Sequence, residues 1–318
     1  MNLLRFLPGD AIPGFDHGLL VSQNVSEHLC TSEGNARCSL WWDVVPKMEN
    51  EKPGVIGHFH AESVEAGTYI LEQAVNRLRD KGCTLAVGPM DGNTWRRYRV
   101  LTDRGGEPAF FMEPDNPDFW PAIFEAAKFS SLATYSSSLV TDLSRRDPRA
   151  DRVLERLQRE GVQIRPLDPN QFEDDLRRIF QVSIISFTHN YLYTEVSEEA
   201  FLAQYLPYKD RIRPELILLA EHDGDPVGYI FAIPDYAEAL RGEPIRTVIG
   251  KTLAILPGRR YGGLGLVLVG MLHDQALALG YTRLIHALQH EANRVQNMSG
   301  FFGKVMRQYT LYLRRLDT

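Results

Sequence analysis

One junction limits the folds open to this sequence more than any other. An apolar strand, Thr247–Leu256, passes through a turn rich in Gly and Arg (257–263) and enters an apolar helix, Leu264–Leu279, with no linker between them. A helix start carries unsatisfied N–H donors and the positive end of the helix dipole. Gly262, Gly263 and Gly265 remove side chains there, and Arg259 and Arg260 add charge beside it. Strand, Gly-rich turn and helix N-terminus together make an anion site with a backbone that a phosphate can touch. Two familiar phosphate loops are excluded. A dinucleotide fingerprint needs Gly three residues after Gly265, where Leu268 stands, and a Gly-Lys-Ser/Thr loop is absent.

The flanks have α/β character. In the second half, Asn170–Phe187 reads as a helix, Glu215–Glu221 and Val227–Ile233 as a hairpin about His222-Asp-Gly-Asp-Pro, Tyr281–Gln289 as a strand, Asn293–Phe302 as a short helix and Val305–Arg314 as a last strand. In the first half, Ala36–Trp42 and Val55–Ala61 read as strands. Glu65–Lys81 reads as a helix ended by Gly82, Cys83–Val87 as a strand, Phe119–Lys128 as a helix and Ser130–Val140 as a late strand. Both halves share the order strand, helix, Gly, strand, a weak internal repeat. The charged stretch 142–162, with Pro148, marks a boundary, placed near 155.

The pattern Arg260-x-x-Gly263-x-Gly265, preceded by an apolar strand and Pro257, resembles the acyl-CoA pyrophosphate loop of the GNAT N-acetyltransferase superfamily. The opening IRPLDPNQFEDDLRRIFQVSIISFTHNY, the hairpin LILLAEHDGDPVGYIFAI and Gln289-His-Glu-Ala-Asn293 resemble the family's flanking elements, so the likeness spans most of 160–318. Residues 54–95 resemble strand four, helix three and strand five of tandem members. There, however, Ala61-Glu-Ser-Val-Glu-Ala-Gly67 replaces the loop, and Glu62 and Glu65 would repel a pyrophosphate. The resemblance implies two GNAT-like domains, each a mixed central sheet flanked by helices. Residues 1–155 are expected to be a degenerate domain without a phosphate loop, and 156–318 the acyl-CoA-binding domain.

It further implies acetyl-CoA as co-substrate and acetyl transfer to a primary amine by direct attack. The acceptor would be a small molecule or a peptide. Two alternatives remain: a longer acyl donor, or a non-catalytic acyl-CoA-binding protein. Leu253 and Ile255 would lie along the pantetheine, and Arg260, Tyr261, Gly262, Gly263, Leu264 and Gly265 at the pyrophosphate. Asn293 would bridge the cofactor or cap its helix. Glu291 is a candidate base, with helix-dipole complementation as its plainer role. Many relatives place an acidic Tyr on the helix after strand five. Residues 293–302 contain none, which leaves Tyr309, otherwise a core aromatic, as a candidate acid. His286 with His290 and His58 with His60 read as structural, and no metal is expected. The net charge of −6 argues against nucleic acid. The three Cys lack redox or zinc spacing, and no apolar run approaches a membrane span, so a cytoplasmic setting is expected.

Overall fold

Two strand–helix–strand units organise the protein, and each arises from the same physical pattern. The computed structural model describes residues 1–8, 10–12, 15–291 and 300–316. The first half contains β1 (Leu3–Phe6), α1 (His17–Ser22), β2 (Glu27–Thr31), β3 (Ala36–Trp41), β4 (Pro53–Ala61), α2 (Val64–Asp80), β5 (Leu85–Gly88), β6 (Val100–Asp103), α3 (Trp120–Ala126) and β7 (Ser130–Val140). The second contains α4 (Ala150–Arg159), β8 (Val162–Pro166), α5 (Phe172–Ser186), α6 (Glu198–Tyr205), β9 (Ile217–His222) and β10 (Asp225–Pro234). It continues with α7 (Tyr236–Leu240), β11 (Thr247–Ile255), α8 (Leu264–Ala278), β12 (Arg283–His290) and β13 (Lys304–Arg315).

In α2 the apolar residues Ile70, Leu71, Ala74, Val75 and Leu78 recur at helical spacing and are buried. In α8, Leu264, Val267, Leu268, Leu272 and Ala276 do the same. Gly82 and Gly280, both at positive φ, stop the two helices. Each helix links parallel strands: β4 with β5 from Pro53↔Leu85 to Val55↔Val87, and β11 with β12 from Thr247↔Arg283 to Gly250↔His286. The β9–β10 hairpin turns on Asp223-Gly224, both at positive φ, as a two-residue hairpin loop requires.

Among the described residues, the strands form a single sheet in the order β1-β2-β3-β4-β5-β13-β7-β12-β11-β10-β9-β8, with β6 also on β13. The two halves exchange their last strands. β7 pairs with β12 of the second half, whereas β13, the end of the chain, crosses to pair with β5 and β6 of the first. Burial follows the exchange. Tyr312 and Leu316 pack with Leu71 and Phe124, while Val140 and Leu143 pack with Leu264 and Leu268. Each fully buried side chain of this size contributes about 1.5–3 kcal/mol, so neither core is complete without residues from the other half.

Candidate acyl-CoA site

β11 delivers the chain to the Gly-rich turn. After Gly258, Arg259–Tyr261 form one 3₁₀ turn, and Gly263 takes a left-handed conformation (φ 85°) at the start of α8. No side chain caps that helix, which leaves its first N–H groups for a ligand. A Cβ at Gly263 would lie 2.8 Å from Val153 of α4, so only glycine fits both the conformation and the space. Gly265 sits against the side chains of Ile255 and Leu253.

Arg156 of α4 anchors the turn from behind. Its guanidinium donates to the carbonyl oxygens of Gly262 at 2.6 Å and Arg260 at 3.1 Å. In a trans peptide the N–H points opposite to the C=O. With those carbonyls held toward α4, the N–H groups of Gly263 and Tyr261 face away from it. The side chain of Arg260 lies beside His222 at 2.5 Å, on the flank of the exposed turn.

Upstream of the turn, β11 and β12 part. Their pairing stops at Gly250↔His286, although β11 continues to Ile255 and β12 to His290. Both strands bulge at the point of separation. On β11, Thr252 faces Phe231 and Gly250 faces Ala232, which leaves Lys251 as the extra residue. On β12, Leu288 (φ 57°) donates its N–H to the Ser137 hydroxyl, and its carbonyl accepts from Arg99. Arg99 is itself held between the rings of Tyr98 and Tyr135.

A cavity of about 1530 Å³ opens at this gap. Gly250–Leu253 of β11, the end of β12, and Val269 and Leu272 of α8 line it, with aromatic side chains such as Tyr205, Tyr208 and Phe187 opposite. The first half supplies a wall as well, through Trp95, Arg99 and Met112. Trp95 donates its indole N–H to the Thr194 carbonyl across the two halves. The Lys251 Nζ reaches into the cavity, 3.5 Å from the Met112 sulfur, and desolvation pushes its pKa down to about 8.

The remaining sequence candidates fall in different places. Leu253 lines the cavity, whereas Ile255 packs over Gly265. Glu291 lies on the cavity rim just past β12, where its carboxylate accepts the Thr134 hydroxyl and its N–H binds the Thr134 carbonyl. Tyr309 on β13 is fully buried and does not line the cavity. Its hydroxyl is shared between Ser137 at 3.2 Å and Glu113, and burial pushes its pKa far above the ordinary phenol value. Asn293 lies outside the described residues. His286 stacks on His273, and burial lowers their pKa values to about 3 and about 4. Among the described residues no group of three or more metal-ligating side chains occurs. Sequence alone does not single out Lys251, Arg156 or Arg99. The only signal for Lys251 was one charge inside the otherwise apolar β11.

The first half carries the same architecture with a smaller opening, about 330 Å³, at its bulge. β4 also bulges against β3, at His58–Phe59, but the His58 N–H donates to the Asp91 carboxylate at 2.6 Å. The start of α2 is capped by its own Ser63, whose hydroxyl accepts from Ala66 at 3.1 Å. Donors left open at β11 and α8 are thus satisfied internally at β4 and α2.

Residues 176–301 match the profile of the Acetyltransferase (GNAT) family. The fold is shared with a GCN5-related N-acetyltransferase from Sphaerobacter thermophilus (TM-score 0.53, 13% identity, 96% of this chain and 84% of that one). It is also shared with a tandem GNAT protein from the clavulanic acid biosynthesis pathway (TM-score 0.52, 11% identity, 100% and 99% covered). In sequence the chain is 24% identical to a bacterial ceramide synthase from Caulobacter vibrioides, over 93% of this chain and 85% of that protein. The likeness to the GNAT family thus lies in the segment 176–301, and the fold of the chain is that of GNAT acetyltransferases, a fold that supports CoA-dependent acyl transfer in general. Among the described residues, no helix is long and apolar enough to cross a membrane.

Proposed function

We propose that this protein is an N-acyltransferase that moves a long acyl chain from acyl-CoA to a lipophilic primary amine. The observation that carries the reading is the cavity at the β11–β12 gap. At about 1530 Å³ it exceeds the roughly 300–1,000 Å³ of ordinary small-molecule sites. An acetyl group with a compact amine would leave most of that space to water. Similarity to a ceramide synthase supports the same choice, because a ceramide is the amide of a long-chain amine.

In this reading 156–318 is the acyl-CoA-binding unit and 1–155 a degenerate partner that walls the acceptor pocket and lends it β7. The pyrophosphate rests on Arg260, Tyr261, Gly262, Gly263, Leu264 and Gly265. There the uncapped start of α8 supplies N–H donors and Arg260 supplies charge. The pantetheine runs along Leu253 toward the gap, and a β11 backbone N–H near the bulge polarises the thioester carbonyl. The acceptor amine enters from the side of Tyr205 and Tyr208. Attack at the thioester carbon then yields the amide and free CoA.

The test is thiol release with acetyl-, octanoyl- and palmitoyl-CoA at equal concentration, using a long-chain amino alcohol or a short amine as acceptor. Each buried methylene contributes up to about 0.8 kcal/mol, so apparent affinity for the donor should rise steeply with chain length. Fastest turnover with acetyl-CoA and the short amine would instead support an ordinary acetyltransferase. Binding of every acyl-CoA without thiol release would support the non-catalytic alternative.

A further inference from the structure

The acyl-transfer reading leaves one piece of chemistry without an owner. The amine must lose a proton as it attacks, and the departing thiolate must gain one. Tyr309 is sealed behind Glu113, and the Glu291 carboxylate is engaged by Thr134 at the rim. Lys251 stands where the two strands separate.

Lys251 is the extra residue of the β11 bulge, at the point where the thioester would cross the sheet in the proposed function. Its side chain lines the cavity, and its ammonium lies 3.5 Å from the Met112 thioether. Among the described residues it forms no ion pair within 4.0 Å, in contrast to the saturated arginines nearby. Among the described residues its ammonium holds neither a carboxylate nor a carbonyl.

We propose, resting on the acyl-transfer reading, that Lys251 is the catalytic acid–base residue of this site. The uncharged Nζ lone pair takes the proton from the attacking amine nitrogen as the new C–N bond forms at the thioester carbon. When the tetrahedral intermediate collapses and the C–S bond breaks, the Lys251 ammonium returns that proton to the thiolate sulfur. The products are amide and CoA thiol, and Lys251 is neutral again. One residue thereby performs the work that relatives divide between a base and a tyrosine.

The electrostatic surroundings suit the task. On the walls of the cavity stand Arg96, Arg97, Arg99, Glu113 and Asp115 from the first half. His189, Arg211, His286, His290 and Glu291 join Lys251 in its ionisable lining from the second half, apart from tyrosines. Glu113 is tied to Arg307 and Tyr309, and Asp115 to Arg104. Desolvation alone lowers the Lys251 pKa. A group that titrates near 8 is about one-tenth neutral at pH 7, enough to start the cycle and acidic enough to finish it.

The experiment compares wild type, Lys251→Met, Lys251→Arg and Glu291→Gln with palmitoyl-CoA and a long-chain amino alcohol across pH 6–10. Lys251→Met should lower kcat by roughly 10²–10⁴-fold with little change in the KM for acyl-CoA. The rising limb near pH 8 should vanish from its pH profile and persist in Glu291→Gln. Lys251→Arg should not recover activity, because arginine does not release its proton. Added methylamine should restore part of the rate to Lys251→Met. A loss confined to KM, or a limb that survives in Lys251→Met, overturns the proposal. The lysine is also read without turnover, from its rate of modification by acetic anhydride against pH, followed by peptide mass. A midpoint near the ordinary lysine value overturns the proposal whatever the fate of the transfer reading. A midpoint near 8 in a protein that releases no thiol overturns the transfer reading and, with it, the catalytic role.

Discussion

Replacing Gly263 with alanine would perturb the anion site by a single methyl group. Two effects add. At φ 85° an L-residue is strained by about 1–2 kcal/mol. The new Cβ would also sit 2.8 Å from Val153 Cγ1, far inside the roughly 3.5–4.0 Å of a normal carbon contact. The turn cannot simply slide from α4, because Arg156 fastens the Gly262 and Arg260 carbonyls to it. Relief must therefore come from rotation of the peptides whose N–H groups face the ligand. Loss of one hydrogen bond to a charged group is worth about 1.5–3 kcal/mol, which corresponds to about 10- to 150-fold in Kd. Calorimetric titration of folded Gly263→Ala with palmitoyl-CoA should show that weakening. Val153→Ala in the same chain should recover part of it, leaving the conformational strain. Gly263→Ala that binds within a factor of two of wild type, with no coupling to Val153, would refute the reasoning.

Further outcomes follow from other contacts. Arg156→Ala should raise the Kd for acyl-CoA several-fold in the same titration, because the turn loses its rear anchor while its own N–H groups stay in place. His28, His273 and His286 are buried with pKa values lowered to about 3, about 4 and about 3. The unfolded chain therefore binds more protons than the folded one below about pH 6.5, and stability should fall by up to about 1.4 kcal/mol per pH unit for each histidine as pH drops from there toward 4. Melting temperatures that stay flat from pH 7 to pH 5 would contradict this. The exchanged strands predict that the halves unfold together. All four tryptophans lie in the first half, so denaturant curves followed by Trp fluorescence and by far-UV circular dichroism should coincide, and two separated midpoints would speak against it.

Much of this architecture can be read from sequence, because its signals are local. Four glycines and two arginines at a strand–helix junction have little packing value, so residues 257–265 read as an anion site, and helical spacing in 64–80 and 264–278 reveals both strand–helix–strand units. The exchange of β7 and β13 leaves no such mark. An apolar strand has the same alternation whichever sheet edge it joins, and β13 therefore reads as the end of the second half. α4 reads as a charged boundary because Leu157 is its only fully buried residue; Val153 and Arg156 act through the turn they touch. β2 and β6 are too short, at five and four residues, to show a period. Lys251 is hidden for a related reason. In a regular strand the alternation alone would set its face, and only the extra residue of the bulge, which has no residue-type signature, turns it into the cavity.

The most direct test of a single acyl-CoA site in the second half is hydrogen exchange of the whole protein with and without palmitoyl-CoA, read by peptide mass. The account predicts protection at 250–268, across the β11 bulge, the Gly-rich turn and the first turn of α8, and none at 57–68 in the first half. Protection at 57–68 instead, or none in either segment at saturating ligand, would contradict it.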